Sequence, residues 1–274
     1  MHKTMNRNSN VYTVIYATVL TVLVAILLSA AALGLKDKQK ANMDNEKKQQ
    51  ILQSVATKLG KTVTFENAAD LWKELNMDDA MFCVNTKGEK VEGQTAFDIA
   101  SKILFDKGKI KEDATLPVYV ANIEGVPYRI VSLYGAGLWG PIWGYLSVDP
   151  EGKVAGVSFD HESETAGLGA KIKDDPAFQA LFAGEKPAFA ESTVFEIVKG
   201  GSPKEADGAE TIDNKIDAIT GATMTSAGLA DALNVWLAAY ANYFQANAPA
   251  KECCGGHEGG CEDGECENHK EAEE

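Results

Sequence analysis

Apolar residues fall along this chain in three different rhythms. In the first, residues 11–35 (VYTVIYATVLTVLVAILLSAAALGL) carry no charge over 25 positions. As a helix that run is about 37 Å long, against a bilayer hydrocarbon core of about 30 Å. A membrane-spanning helix is expected, with Tyr12 and Tyr16 near one interface. The competing reading is a cleaved signal peptide, because Ser29-Ala-Ala-Ala resembles a cleavage site. The run is far longer than the usual ~7–15 residue apolar core of such peptides, which favours a retained anchor. Lys3 and Arg7 precede the span and Lys36, Lys38 and Lys40 follow it, so flanking charge does not set its orientation.

The second rhythm is helical. After a lysine-rich stretch over 36–50, either a linker or the first turns of a helix, Ile51, Leu52, Val55 and Leu59 recur at helical spacing and Gly60 ends the pattern. Leu71, Trp72 and Leu75 predict a short helix over 68–75, and Phe97, Ala100, Ile103 and Leu104 predict another over 97–105. Further helices are expected from Pro176 to Phe182 and from Ala227 to about Phe244. The last of these has Thr225 or Ser226 as its cap, and Leu229, Leu233, Trp236, Leu237 and Tyr240 form its apolar face.

The third rhythm is that of strands. Residues 80–84 and 90–91 flank a turn and read as a hairpin. Runs over 117–123, 127–134, 142–148 and 154–159 are apolar, β-branched and aromatic, with turn residues between them, and a further strand covers 193–198. Connections this short favour antiparallel neighbours. The expected fold is therefore α+β: one N-terminal transmembrane helix, then an antiparallel sheet with flanking helices. The expected segments are 1–10, the span 11–35, a helical and hairpin region 36–114, the main domain 115–246, and a tail 247–274.

Charge refines this picture. The net charge of −14 argues against a nucleic-acid partner. Nine acidic residues and two lysines lie beyond residue 246, a net of −7, so half of the excess is in the tail. That tail also holds Cys253, Cys254, His257, Cys261, Cys266 and His269. Such residues can wrap a soft metal, but the spacing forms no tidy CxxC pair and the composition is that of a disordered segment. Cys83 is the remaining cysteine, and an odd count with one outlier is no disulfide framework.

Candidate chemistry lies in three stretches. Residues 217–226, DAITGATMTS, place four hydroxyls at the entrance of the last helix with no base among them. Orphan N–H groups and the positive end of the helix dipole suit a phosphate there, and Gly221 and Ala222 allow close approach. A P-loop is excluded because no Gly-Lys-Ser/Thr is present, and a hydroxyl nucleophile would need a base. His161 through Gly169 (HESETAGLG) reads as a glycine-bearing loop leaving a strand. Gly135 through Trp143 (GAGLWGPIW) reads as a turn followed by an apolar strand.

Asp217-Ala-Ile-Thr220-Gly221-Ala222-Thr223 resembles the flavinylation motif of FMN-binding domains, in which a separate flavin transferase esterifies the last threonine with the FMN phosphate. The resemblance implies that Thr223 carries FMN and that Asp217 belongs to the signal the transferase reads. Glu164-Thr165-Ala166-Gly167-Leu168-Gly169 resembles the "ETPGLG" loop that covers the flavin in the same family, with Ala166 in place of proline. By that match Thr165 would hydrogen-bond the cofactor, Gly167 and Gly169 would admit its ring and Leu168 would pack on its face. The Gly-x-Gly-Leu-Trp segment ending at Trp139 is similar to that of the C subunit of the sodium-pumping NADH:quinone oxidoreductase, and makes Trp139 a flavin-wall residue. Thr220, Gly221, Ala222 and Thr225 complete the implied site.

The family resemblance implies a single-pass protein of the bacterial inner membrane, with residues 1–10 cytoplasmic and residues 36–246 on the periplasmic side. Within it 115–246 would be the FMN-binding domain. It also implies an electron-relay component that works with the B subunit and with iron–sulfur-bearing membrane subunits, and needs no catalytic acid or base of its own. The G subunit of Rnf-type complexes has the same kind of anchor and motif, and an anchored flavin sensor or assembly protein is a further reading. The tail motif has no counterpart in the family pattern.

Overall fold

In the computed structural model, residues 10–187, 189, 193–200 and 214–247 are described. The tail cysteines and histidines, and so the candidate metal ligands, lie outside them. In chain order the elements begin with helices α1 (Asn10–Gln53), α2 (Ala56–Leu59) and α3 (Ala68–Glu74), and a hairpin of β1 (Met81–Val84) and β2 (Lys90–Val91). A 3-10 turn (Ala96–Asp98), α4 (Ser101–Leu104) and two short strands, β3 (Phe105–Asp106) and β4 (Lys109–Ile110), follow. Then come β5 (Leu116–Ile123), β6 (Val126–Ala136), β7 (Pro141–Val148) and β8 (Val154–His161). The chain continues through α5 (Lys171–Asp174), α6 (Pro176–Ala180), β9 (Glu196–Val198), β10 (Lys215–Asp217) and α7 (Thr223–Ala246).

α1 is long and apolar enough to cross a membrane, and its apolar window is wholly exposed in the isolated chain. It runs unbroken to Gln53, so residues 36–50 continue the helix. That stretch is rich in Lys and Gln and holds no Gly or Pro, so nothing stops the propagation. At 1.5 Å per residue the helix is about 66 Å long, well over what a bilayer needs.

The central sheet has the order β2-β1-β5-β6-β7-β8, all antiparallel. It crosses residue 114, so the hairpin 81–91 and the strands after 116 share one sheet. Both faces are covered, which explains why the middle runs are apolar without strict alternation. Val118, Val131 and Leu146 point into the core beneath α7, while Tyr119, Ile130 and Tyr145 point into a second core with Ile51, Leu52 and Trp72. β9 and β10 form a separate parallel pair. The second strand of that pair, a three-residue piece carrying Asp217, has no signal in the sequence.

Polar bonds fix the covering helices. On α7, Trp236 Nε1 donates to the Tyr134 carbonyl at 2.7 Å and the Tyr240 hydroxyl to the Pro117 carbonyl at 2.8 Å. On α1, Gln50 Nε2 donates to Asp160 Oδ2 at 2.7 Å, while Gln50 Oε1 accepts from Trp143 Nε1 at 3.2 Å. Just beyond α1, the Ser54 carbonyl accepts from the buried Ser147 hydroxyl at 2.6 Å. α1 is thus bonded into the sheet at its end.

Two expected helices differ from the pattern. Residues 97–105 do not form one helix: Ile99 and Ala100 are extended between the 3-10 turn and α4. Lys47 Nζ donates to the carbonyls of Phe97 and Ile99 at 2.5 and 3.2 Å, taking acceptors that a continuous helix would use. The last helix starts at Thr223, four residues before the expected position. Neither Thr225 nor Ser226 caps it; Ala222 is at the cap position and offers no side-chain bond. Both hydroxyls are buried and engaged elsewhere. Thr225 donates to Glu164, and Ser226 Oγ accepts from the Ile219 N–H at 3.1 Å.

Candidate functional site

The turn before α7 dictates the geometry of the site. Gly221 has φ +81°, a left-handed conformation that glycine adopts without steric cost, and Leu168 closes on it: a Cβ there would lie 2.9 Å from Leu168 Cδ2. The Ala222 N–H donates to the Ile219 carbonyl at 3.0 Å, and the first helical bond runs from Ser226 N to Ala222 O at 2.9 Å. Thr223 is therefore the first residue of the helix. Its side chain is exposed, and the N–H groups of the first turn have no side-chain cap. Orphan N–H groups and the positive end of a 24-residue helix favour an anion at this point.

Glu164 binds the three sequence stretches into one surface. Its carboxylate is only 7% exposed. Oε2 accepts from the Thr225 hydroxyl at 2.6 Å, and Oε1 accepts from the Trp139 N–H at 2.9 Å. Glu164 N donates to His161 Nδ1 at 3.2 Å, and Ser163 Oγ donates to the Trp139 carbonyl at 2.8 Å. The carboxylate sits in a slot bounded by Gly137 and Gly169. A Cβ on either would come within 2.4 or 2.2 Å of a carboxylate oxygen.

Around this joint lie four exposed apolar side chains: Leu138 (51%), Trp139 (66%), Leu168 (42%) and Met224 (63%). They are brought together because Trp139 is tied to Glu164, Leu168 closes on Gly221, and Met224 follows Thr223. Exposed large apolar groups clustered beside an anion-favouring helix start suit a flat, apolar group that bears a phosphate.

The remaining residues from the sequence take these places. Thr165 and Gly167 are exposed on the loop, where the Thr165 carbonyl accepts from the N–H groups of Leu168 and Ala170. Gly169 is buried, and the space it leaves holds Glu164 and Thr225, not an incoming ring. Thr220 is exposed in the turn, Ala222 is buried, and Asp217 is half-buried at the end of β10. Gly137, Leu138 and Met224 belong to the same surface, and sequence reasoning assigned none of them a site role. Gly137 and Leu138 lie within the Gly-x-Gly-Leu-Trp segment, and Met224 has only its position beside Thr223 as a signal.

A cleft of about 570 Å3 lies elsewhere, between α1, the 97–102 segment and β6–β7. Lys47, Phe97, Ser132, Tyr134 and Trp143 are among its lining residues, and none of Thr223, Glu164 and Trp139 is. Burial pushes the Lys47 ammonium below its usual pKa, with Asp98 and Asp44 opposing the shift. The exposed surface around Thr223 is not part of this cleft.

An exposed threonine at an uncapped helix start, with exposed apolar side chains on the adjoining loops and an antiparallel sheet behind them, suits an aromatic cofactor that bears a phosphate. Residues 137–238 match the FMN-binding domain family, a span that holds the 161–169 and 217–226 stretches whole and the Gly135–Trp143 stretch from Gly137 on. The chain is 30% identical over 247 residues to the C subunit of the Na(+)-translocating NADH-quinone reductase of Pasteurella multocida (strain Pm70), covering 85% of this chain and 91% of that one. It is 29% identical over 234 residues to the same component from Vibrio campbellii (strain ATCC BAA-1116), covering 80% and 87%. The crystal structure of the Parabacteroides distasonis ATCC 8503 counterpart is 37% identical, with a TM-score of 0.63, and the match covers 76% of this chain and 96% of that one. The chain belongs to the family of C subunits of the Na(+)-translocating NADH-quinone reductase, an oxidoreductase complex.

Proposed function

We propose that this chain is the electron-relay component of a sodium-pumping NADH:quinone reductase and carries FMN joined through its phosphate to Thr223. The observation that carries the reading is the exposed Thr223 hydroxyl at the first position of α7, beside the Leu138, Trp139, Leu168 and Met224 side chains. A hydroxyl presented outward, with no base beside it, suits modification by another enzyme, here a flavin transferase that reads Asp217 through Thr223. A phosphodiester at that hydroxyl keeps one negative charge, which the uncapped N–H groups and the helix dipole favour. The four apolar side chains cover ring surface that would otherwise face water.

An open surface also argues for a covalent tether. Small-molecule sites that hold a cofactor by affinity bury most of its area in a concave pocket. The side chains around Thr223 are largely exposed, so a bond would supply retention that burial alone does not.

When bound, FMN supplies one-electron chemistry. The chain holds the cofactor, limits water at its faces and sets the surrounding charge. Electrons would arrive from an iron–sulfur centre of the membrane subunits and leave to the B subunit. The apolar part of α1 anchors the chain in lipid of the bacterial inner membrane with the domain on the periplasmic side, and the bonds of Gln50 and Ser54 hold the domain against that anchor.

The test is an intact mass of the full-length protein made in cells that possess a flavin transferase. The expected mass exceeds that of the polypeptide by one FMN less one water, and Thr223→Ala abolishes the increment. A Thr223→Ala protein that retained covalent flavin would overturn the assignment.

A further inference from the structure

Two buried carboxylates lie close together in sequence at the end of β8, and they are treated differently. Asp160 has Lys173 Nζ at 2.9 Å, as well as the Gln50 amide. Glu164 has no ion-pair partner among the described residues. Its oxygens face two donors, the Thr225 hydroxyl and the Trp139 N–H. An ionised carboxylate is an acceptor at both oxygens, so this arrangement satisfies the charged form. The slot formed by Gly137 and Gly169 keeps the group out of water, where its field is weakly screened. Its partner Thr225 is two residues from Thr223 on the same helical turn.

We propose that Glu164 is the residue that positions the first turn of α7 beneath the cofactor, and that its unpaired buried charge lowers the reduction potential of the group carried on Thr223. This rests on the reading of Thr223 as the attachment point. Reduction adds negative charge to the cofactor, and a fixed negative charge nearby opposes that addition, the more so in a medium of low dielectric. The bonds to Thr225 and Trp139 hold the charge in one place, because they join α7 to the 137–140 turn that carries part of the apolar surface. The glycines at 137 and 169 are accordingly needed to seat the carboxylate.

The experiment is a spectroelectrochemical titration of full-length protein in detergent, made in cells with a flavin transferase, with the FMN increment checked by intact mass. Glu164→Gln, which keeps shape and loses charge, is expected to carry one FMN and to titrate at a more positive potential. Thr225→Val removes a donor and leaves the carboxylate charged, and is expected to shift the potential the other way. Glu162→Gln removes an exposed charge two residues distant and is expected to leave it unchanged. A loaded Glu164→Gln protein with the wild-type potential would overturn the proposal. If that variant does not accumulate, an unchanged potential in loaded Thr225→Val would do the same. Absence of the mass increment from wild-type protein would instead overturn the Thr223 reading, so the two failures are separable.

Discussion

Replacing Gly169 by alanine tests what that glycine is for. The added Cβ would lie 2.2 Å from Glu164 Oε2 and 2.7 Å from Thr225 Oγ1, where ordinary contact begins at 3.4 Å. The carboxylate must therefore retreat by roughly 1.2 Å, more than the 2.6 Å bond to Thr225 can survive. Loss of a hydrogen bond to a charged group costs about 1.5–3 kcal/mol, and forced repacking in a tight interior costs about 1–3 kcal/mol more. A total of about 2.5–6 kcal/mol lowers the Tm of a domain of this size by about 5–24 °C, at about 2–4 °C per kcal/mol. Gly167→Ala is the control. Gly167 has φ +75° and open space around it, so alanine there meets only backbone strain. That strain is about 1–2 kcal/mol, or about 2–8 °C. The assay is thermal unfolding followed by near-ultraviolet circular dichroism, on full-length protein from cells without a flavin transferase, so that no cofactor adds stability. A smaller Tm loss for Gly169→Ala than for Gly167→Ala would refute the carboxylate slot.

Two further outcomes follow from packing. Burial raises the phenols of Tyr119, Tyr145 and Tyr240, and the Cys83 thiol, above their ordinary values. Because the folded state favours their protonated forms, the contribution of the phenols to stability is complete below their unfolded value near 10, and that of the thiol below its own unfolded value near 9, and each is lost as pH rises through the folded value. Tyrosinate absorbance of these three should therefore appear only together with cooperative alkaline unfolding; their ionisation with the near-ultraviolet signal intact would contradict their burial. Gln50→Leu removes both the Asp160 and Trp143 bonds, at a cost of about 1.5–3 kcal/mol for the charged one. Amide hydrogen exchange over residues 44–53 should accelerate, and unchanged protection there would show that the anchor is held by other contacts.

The elements that formed as their patterns predict are those whose cause is local. Twenty-five uncharged residues form a helix long and apolar enough to cross a membrane, and the four runs from 116 to 161 meet short turns that favour antiparallel neighbours. The motif at 217–223 is legible for the same reason, since Gly221 and the hydroxyls state their conformational needs in place. Where tertiary contacts compete with the local pattern, the sequence was silent. Lys47, 50 residues upstream, takes the carbonyls that would have continued a helix through Ile99. Thr225 and Ser226 look like caps until the partners of their hydroxyls are seen: Glu164 lies 61 residues away, and the turn amide of Ile219 becomes available only because the helix starts early.

By itself, then, the chain's order of residues determined a long apolar N-terminal helix, an antiparallel α+β domain and a hydroxyl-rich helix entrance, because periodicity and turn chemistry act over a few residues. The folded molecule alone decided that one buried carboxylate joins Trp139 to Thr225 and that Leu168 closes on Gly221, two residues before Thr223. Those relations depend on distances between segments remote in sequence, and such distances are set when both faces of the sheet are covered.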